Sequence, residues 1–451
     1  MDSRLLQRDI WAGPLEELRA GLPERAVTAE ISGTLSRGSF GCSEVCRTSL
    51  GETFYRERGE GYSSMDLLRA VKEYADNTSV GVSVTVDRYA APKVVLYEIP
   101  GDGSVSTGGI GAPIGSVVLR PGAVPEPYRR LPARYPSHWD STMDPAWVSN
   151  VVRQCLPEAR GMTPQQIQEW ERRTNCMLPP DVRAMYEAAT SGDLIKPVVP
   201  GDPDSEDDDS RYLMRLFPLG QDDEYWSPEG RFLAWQYGAS EVAGPDPTGR
   251  VQSLAFSPAW VPLGDDWGGN YFVSDLAPGP NGRIGQILFV DHETNSGASW
   301  VAPSLTAFLA NPPSSYEMLP AAGVLKVRLG GSDRDIAGAV TPETEVLIVN
   351  RVDQPVDLAV LAGHPRLRTV EVDPGRATGI DVVQQLPALE YLAVDVPTWR
   401  YLLDRDLVPR GLLAAGFEGR DATWAEVVDV ANTLLTRWNR PPIIEHTIHA
   451  L

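Results

Sequence analysis

The chain has 451 residues, enough for about three domains, and its 42% of hydrophobic residues is typical of globular rather than disordered proteins. Its 61 acidic residues exceed its 40 basic residues, so the formal charge at pH 7 is −21. Because phosphate binding needs a basic surface, this charge argues against a nucleic-acid ligand and favours a basic protein as partner.

No targeting or membrane signal is evident in the sequence. The first residues lack the charged start and apolar core of a signal peptide, and no run of about 18 apolar residues occurs. The cysteines at 42, 46, 155 and 176 are too few for a disulfide framework, and Cys42 and Cys46 have no second ligand pair near them. We therefore predict a cytoplasmic protein with no metal, no cofactor and no membrane contact, of unknown oligomeric state.

The composition divides the chain into four parts and predicts a multidomain α+β fold. Residues 1–122 have the pattern of a small α+β domain of unknown family, and residues 123–141, rich in proline and arginine, indicate a linker. Residues 142–312 combine two helix signals with strands, and residues 313–451 carry a weak repeat.

Within the first part, alternating apolar residues predict strands at 26–31, 80–86 and 93–99. Between these strands, helical spacing predicts a helix, with apolar residues recurring at Met65, Leu68, Val71 and Tyr74. The glycine- and serine-rich residues 101–115 resemble a phosphate loop in composition. They lack its Gly-Lys-Ser/Thr ending and precede a strand, so we predict a flexible hairpin loop instead.

The middle part opens with two helices. Thr163 and Gln166 have the spacing of a capping box, and Pro164 occupies the first helical position between them. The motif Leu-Pro-Pro-Asp at 178–181 predicts the start of a second helix, which ends before Gly192. Its inward residues are Val182, Met185, Tyr186 and Ala189.

An acidic loop at 202–209 has alternating carboxylates that resemble an EF-hand calcium loop. Asp207 stands at the sixth position, where an EF-hand needs glycine, and Leu213 at the twelfth, where it needs glutamate. A solvated insertion loop is therefore the better interpretation.

The most informative stretch is a glycine- and aspartate-rich corner that follows an apolar run and leads into an aromatic strand. Its residues are Gly264, Asp265, Asp266, Trp267, Gly268, Gly269, Asn270 and Tyr271. A second strand at 285–292 predicts a long β-hairpin. Glycine permits positive φ, and short carboxylates bond neighbouring N–H groups, so the pattern favours a binding loop of fixed shape.

Apolar groups recur in the last part. The intervals between Val327, Leu347, Val370 and Leu392 are 20, 23 and 22 residues, within the roughly 20–29 of leucine-rich repeats, although the usual asparagine ladder is missing. Thr423 and Glu426 predict a capping box on an amphipathic helix. We expect this helix to cap the open end of the stack rather than bind a partner.

The middle part resembles the SUKH superfamily. The resemblance rests on the helical entry at 167–170, the motif at 178–181, Gly192, and the stretches 262–270 and 285–292. It implies a SUKH-like α+β domain with N-terminal helices and an antiparallel sheet. Members include bacterial immunity proteins that neutralise toxins, many of them nucleases, and fungal regulators of glucan synthesis and killer-toxin resistance. Thr190-Ser191-Gly192 replaces the usual asparagine-glycine ending, and the insertion 196–251 is long.

A metal-dependent hydrolase is one alternative function. Its ligands would come from Asp265, Asp266, Asp275, Asp291, His292 and Glu293. The last three are contiguous at a strand end, where alternate side chains face opposite ways, and no hydrolase motif accompanies them. We therefore predict no enzyme activity.

The favoured function is that of a protein-binding module of the immunity type, which occludes a basic toxin domain. The predicted contact residues are Asp265, Asp266, Trp267, Asn270, Tyr271, Asp291 and Glu293, on a loop shaped by Gly264, Gly268 and Gly269. Two alternatives stay open: an interaction scaffold or regulator of cell-wall type processes, and a corner that is only a structural turn.

Overall fold

The computed structural model describes residues 2–38, 40–55, 62–75, 79–106, 115–195, 212–220, 235–292, 297–313, 323–332, 335–419 and 422–448. The helices in these ranges are α1 (Arg8–Ala20), α2 (Ser64–Val71), α3 (Pro145–Cys155), α4 (Pro164–Thr174), α5 (Pro180–Ala188), α6 (Trp235–Ala239), α7 (Leu305–Ala310), α8 (Ile336–Ala339), α9 (Val396–Asp404) and α10 (Trp424–Arg437). With several sheets beside them, they confirm the predicted multidomain α+β class.

The strands in the same ranges are β1 (Thr28–Leu35), β2 (Phe40–Arg47), β3 (Thr53–Tyr55), β4 (Val80–Asp87), β5 (Lys93–Glu98), β6 (Val105–Ser106), β7 (Val117–Leu119), β8 (Gly192–Ile195), β9 (Tyr212–Leu216), β10 (Trp260–Asp265), β11 (Tyr271–Asp275), β12 (Gln286–Val290), β13 (Ser299–Ala302), β14 (Lys326–Gly331), β15 (Val346–Val352), β16 (Val356–Asp357), β17 (Thr369–Val372), β18 (Ala377–Thr378), β19 (Tyr391–Asp395), β20 (Ala414–Glu418) and β21 (Ile444–Ile448).

The chain folds into two compact units. The first unit contains Met1–Ala123, Ala234–Gln236 and Val327–Leu451, and the second contains Val124–Leu233 and Tyr237–Lys326. This grouping differs from the predicted separation of 1–122 from 313–451. The two parts form one unit because they share sheets. Strand β21 of the last part pairs with β5 of the first part, and β7 of the first part pairs with β20 of the last part. Alternating residues predict strands but not their partners.

The first sheet of the first unit has the antiparallel order β21-β5-β4-β1-β2-β3. Its strands β1, β4 and β5 lie where alternation predicts them. On α2, Leu67, Leu68 and Val71 are buried in the core, whereas Met65 is exposed, as is Tyr74 in the turn after the helix. The predicted helix is therefore present, with a buried face that includes Leu67.

The second sheet of this unit contains the predicted repeat. The strands β15, β17, β19 and β20 are parallel, and their register aligns Leu347 with Val370, Val370 with Leu392, and Leu392 with Ala415. These intervals of 23, 22 and 23 residues agree with the predicted spacing. Membership of the leucine-rich-repeat class stays a prediction. Before β7, strand β6 completes the predicted hairpin, whose loop at 107–114 lies outside the described residues.

The helix α10 begins with the predicted capping box, in which the Thr423 and Glu426 side chains bond each other's backbone N–H. Its stripe is buried against the second sheet. Trp424 also donates a hydrogen bond from Nε1 to the carbonyl of Gly33 (2.9 Å) and stacks on Tyr97. The helix therefore packs on both sheets of its unit and does more than cap the repeat.

The second unit is built on the antiparallel sheet β13-β12-β11-β10-β9-β8. Alternate residues of this sheet, including Phe272, pack into a core with α3, α5 and α7, and Val273 packs into a smaller cluster with Val251. The predicted linker is partly structural here. Tyr128 is buried and stacks on Phe256, so this part of residues 123–141 belongs to the folded unit.

The motif at 178–181 fastens α5 to α7. The carboxylate of Asp181 is fully buried and accepts hydrogen bonds from the Thr306 backbone N–H (2.9 Å) and hydroxyl (3.0 Å). Burial raises the pKa of Asp181. The capping box at Thr163 and the predicted inward residues of α5 are confirmed beside it.

Candidate functional site

Strands β10 and β11 are joined by a tight loop, residues 266–270, which we call the corner loop. The Asp266 carboxylate accepts hydrogen bonds from the backbone N–H of Gly268 (2.8 Å) and of Asn270 (3.1 Å), and from Asn270 Nδ2 (2.7 Å). In return, the Asp266 N–H donates to the Asn270 carbonyl. One carboxylate thus fixes the shape of the loop from inside, as its composition predicts.

Asp265 lies beneath the corner loop and is buried. Its oxygens accept two hydrogen bonds from the guanidinium of Arg215 on β9, one of them from Nε at 3.0 Å, and a third from the Trp267 N–H. The Arg215 side chain is half exposed. The sequence predicts Asp265 as a contact residue, and the structure places its carboxylate in a buried ion pair with Arg215.

Two of the predicted loop glycines have a steric reason. A Cβ at position 264 would clash with the carbonyl oxygen of Arg215 on the neighbouring strand β9. Gly269 has a φ of +97° and lies under the ring of His292, 3.3 Å from where its Cβ would be. At Gly268 the nearest neighbour is the flexible Asp266 carboxylate, so this position is less constrained.

An exposed aromatic pair connects the corner loop to β9, since Trp267 lies in the loop and Tyr212 is the first residue of that strand. Trp267 has a φ of +61° and is 39% exposed, and its ring meets Tyr212 edge-on at 4.9 Å between centroids. Tyr212 is itself 44% exposed. Tyr271 is half buried and contacts Phe217. The sequence predicts Trp267 and Tyr271 but not Tyr212, which lies more than 50 residues earlier, within the long insertion.

The end of β12 is attached to the same loop. The side-chain oxygen of Asn270 accepts the His292 N–H at 3.1 Å and lies 2.9 Å from His292 Nδ1. Asp291 is half buried, whereas Glu293 and the acidic loop at 202–209 lie outside the described residues. Of the predicted contact residues, Trp267 is the most exposed one that the structure describes.

Comparison with known proteins identifies the domain that carries this loop. Residues 161–311 match the model of the SMI1 / KNR4 family (SUKH-1). The middle of the chain is a SUKH-1 domain. The predicted resemblance is thereby confirmed, and it covers the helices α4 to α7 and the strands β8 to β13.

Curated relatives of the SUKH-1 domain are fungal. A "Glucan synthesis regulatory protein" of Neurospora crassa is 44% identical over 64 residues, which is 14% of this chain and 12% of that protein. The "Cell wall biosynthesis/cell cycle regulator smi1" of Schizosaccharomyces pombe is 27% identical over 164 residues, 33% of this chain and 30% of that protein. The "Cell wall assembly regulator SMI1" of Saccharomyces cerevisiae is 50% identical over 42 residues, 9% and 8% of the two chains. The chain therefore spans less than a third of these relatives' length. Their names agree better with the predicted regulator alternative than with bacterial toxin immunity.

The SUKH-1 domain separates the ligands of the hydrolase alternative. Asp275 lies at the opposite end of β11 from Asp265 and Asp266, is buried, and accepts a hydrogen bond from Gln286 Nε2 at 2.9 Å. Desolvation raises its pKa to about 6. In the described part of the chain, no group of three or more histidine, cysteine, aspartate or glutamate side chains is placed to hold a metal ion. Nor does any described helix have the length and apolarity to cross a bilayer.

Proposed function

We propose that this chain is a non-enzymatic regulator or scaffold that binds a protein partner through the corner loop of its SUKH-1 domain. The observation that carries the proposal is an exposed aromatic pair: Trp267, on a loop held rigid by Asp266, and Tyr212, which contacts it from the start of β9. Large aromatic side chains on a preformed surface supply most of the free energy in many protein interfaces.

The names of the fungal relatives support the regulator alternative. Charge supports a basic partner, because a net charge of −21 speeds the encounter with a positive surface. In this proposal Trp267 and Tyr212 are contact residues, together with the exposed parts of Tyr271 and Asp291. Asp265, Asp266 and Asn270 instead hold the loop in place.

The test is quantitative affinity capture from a lysate of the source organism, with the full chain as bait. We expect Trp267→Ala to lower the recovery of at least one protein about tenfold. The matched control is Tyr89→Ala, since Tyr89 is an aromatic residue of the first unit that is 81% exposed. The thermal midpoints of both variants are measured alongside. Equal capture by all three baits contradicts the proposal.

Toxin immunity is the second candidate, and the acidic charge favours it, since many nucleases are basic. The identity of the captured partner distinguishes the two functions. A nuclease that the purified chain inhibits supports immunity. A partner without toxic activity, lost with Trp267→Ala, supports the regulator.

A further inference from the structure

The second unit contains a groove that shares no residue with the corner loop. Its volume is about 930 Å³. The lining comes from the extended segment 131–139, the end of α4 and the residues after it at 174–177, the residues before β10 at 258–259, and the chain after β11 at 276–278 and 284. The first of these parts precedes the SUKH-1 match, so the groove is built by the matched domain together with a segment outside the match.

Large apolar side chains are concentrated in this groove. Four of the sixteen large hydrophobic residues that the described chain exposes line it: Leu131, Tyr135, Trp139 and Met177. Leu131 is 78% exposed and Met177 68%. Soluble proteins rarely leave several such side chains together in water unless the surface binds something.

Hydrogen bonds within the chain itself hold the extended segment 131–139 in place. The Gln252 side chain accepts the Ala133 N–H (2.8 Å) and donates to its carbonyl (2.7 Å). Further along, the Ile284 N–H donates to the His138 carbonyl, and the Ser137 hydroxyl donates to Gly282. A preformed groove binds with a smaller loss of conformational entropy than a loose one.

The charge of the groove is opposite to that of the chain. The described residues that line it include Arg134 and His138 and no carboxylate, although the whole chain carries 61 acidic residues and a charge of −21. Arg134 is exposed, and within the described residues its guanidinium makes no hydrogen bond or ion pair. A free cation among apolar side chains favours an occupant with a carboxylate beside an apolar anchor.

We propose that this groove docks an extended segment of a partner protein in which a large apolar side chain is flanked by carboxylates. Exposed aromatic and apolar side chains along an extended wall are typical of surfaces that bind extended peptides. The proposal is independent of the corner loop, because the two surfaces have no residue in common.

The test is selection of a random decapeptide library displayed on phage against the immobilised full chain. We expect enrichment of peptides with an aromatic or leucine anchor next to aspartate or glutamate. A synthetic copy of an enriched peptide should bind about tenfold more weakly to Arg134→Glu and to Tyr135→Ala, and more weakly at higher salt. Lys93→Glu, an exposed charge reversal in the first unit, is the matched control and keeps full affinity.

Selection against Arg134→Glu sharpens the test, because the enriched flanking residues should change from acidic to basic. Three results overturn the proposal: no enriched consensus, a consensus without acidic residues, or binding that is unaffected by Arg134→Glu and Tyr135→Ala. A concentration-dependent dimer in sedimentation that Tyr135→Ala dissociates assigns the groove to a second copy of this chain instead. Failure here leaves the corner-loop capture experiment unaffected, so the two proposals fail separately.

Discussion

Arg215 and Asp265 face each other across β9 and β10, and the two hydrogen bonds between them form an ion pair directly under the corner loop. The carboxylate is buried, and the guanidinium is half exposed. Because Asp265 also accepts the Trp267 N–H, the pair connects the sheet to the aromatic side chain that we propose as the binding anchor.

Arg215→Ala should destabilise the second unit, because it leaves the buried Asp265 carboxylate without its cation. Breaking a fully buried pair costs about 3–5 kcal/mol, and the half-exposed arginine reduces this to about 1–3 kcal/mol. Urea unfolding measures the change. Arg172→Ala is the control, since it removes an arginine of the same unit whose ion pair with Glu169 is exposed on both sides. An equal or larger loss in the control argues against a special role for Asp265.

Asp266→Ala should loosen the corner loop with little effect on the whole fold. It removes three hydrogen bonds that a partly exposed carboxylate accepts, and the expected loss is about 1 kcal/mol of unfolding free energy. Hydrogen exchange at the Gly268 and Asn270 amides should become at least about tenfold faster. Asp266→Asn keeps an oxygen for both amides and should retain most of their protection. Unchanged exchange in the alanine variant means that the loop is held by other contacts.

Asp181→Ala should destabilise the second unit by about 2–4 kcal/mol, because two donors of Thr306 lose a buried acceptor. Thr306→Val keeps the backbone bond and removes only the hydroxyl. Its expected loss is about 1 kcal/mol. If calorimetry gives the two variants the same midpoint, Asp181 does not fasten α5 to α7 as the geometry indicates.

Asp275 should make stability depend on pH between about 4 and 6. Burial raises its pKa from 3.8 to about 6, so in this range the folded chain binds more protons than the unfolded chain. Stability is therefore lost as pH rises through the window, by at most about 3 kcal/mol. Relative to wild type, Asp275→Asn should become more stable from pH 4 to 7. Any pH-independent destabilisation caused by the new amide next to Gln286 shifts all points equally and does not affect this trend. A difference in unfolding free energy between variant and wild type that does not change with pH excludes the raised pKa.

Local signals in the sequence predict much of this fold. The capping boxes at Thr163 and Thr423 depend on residues three positions apart, and the repeat depends on intervals of 22 and 23 residues between strands. Such patterns are legible without knowledge of the tertiary structure. Local patterns do not predict that β21 pairs with β5 or that β7 pairs with β20, because these pairings join segments that are far apart in sequence.

The candidate site likewise has some features that the local sequence predicts and others that depend on contacts distant in sequence. Its glycines and the loop-closing Asp266 are evident from composition. Asp265 belongs to the same glycine- and aspartate-rich stretch, yet it is buried. The sequence does not reveal this burial, because the arginine that pairs with Asp265, Arg215, lies 50 residues away on another strand. Tyr212 and the groove residue Met177 belong to no motif. Their importance comes from which surfaces the fold leaves uncovered.

The pairing of β21 with β5 has a consequence during synthesis. His446 and Glu98 contact each other across these strands although 348 residues separate them. While a ribosome translates the intervening chain, β5 is an open edge that can recruit a neighbouring nascent polypeptide. A chaperone that shields this edge until β21 emerges is therefore expected to raise the yield of native protein, and a chain truncated before residue 444 should accumulate in inclusion bodies.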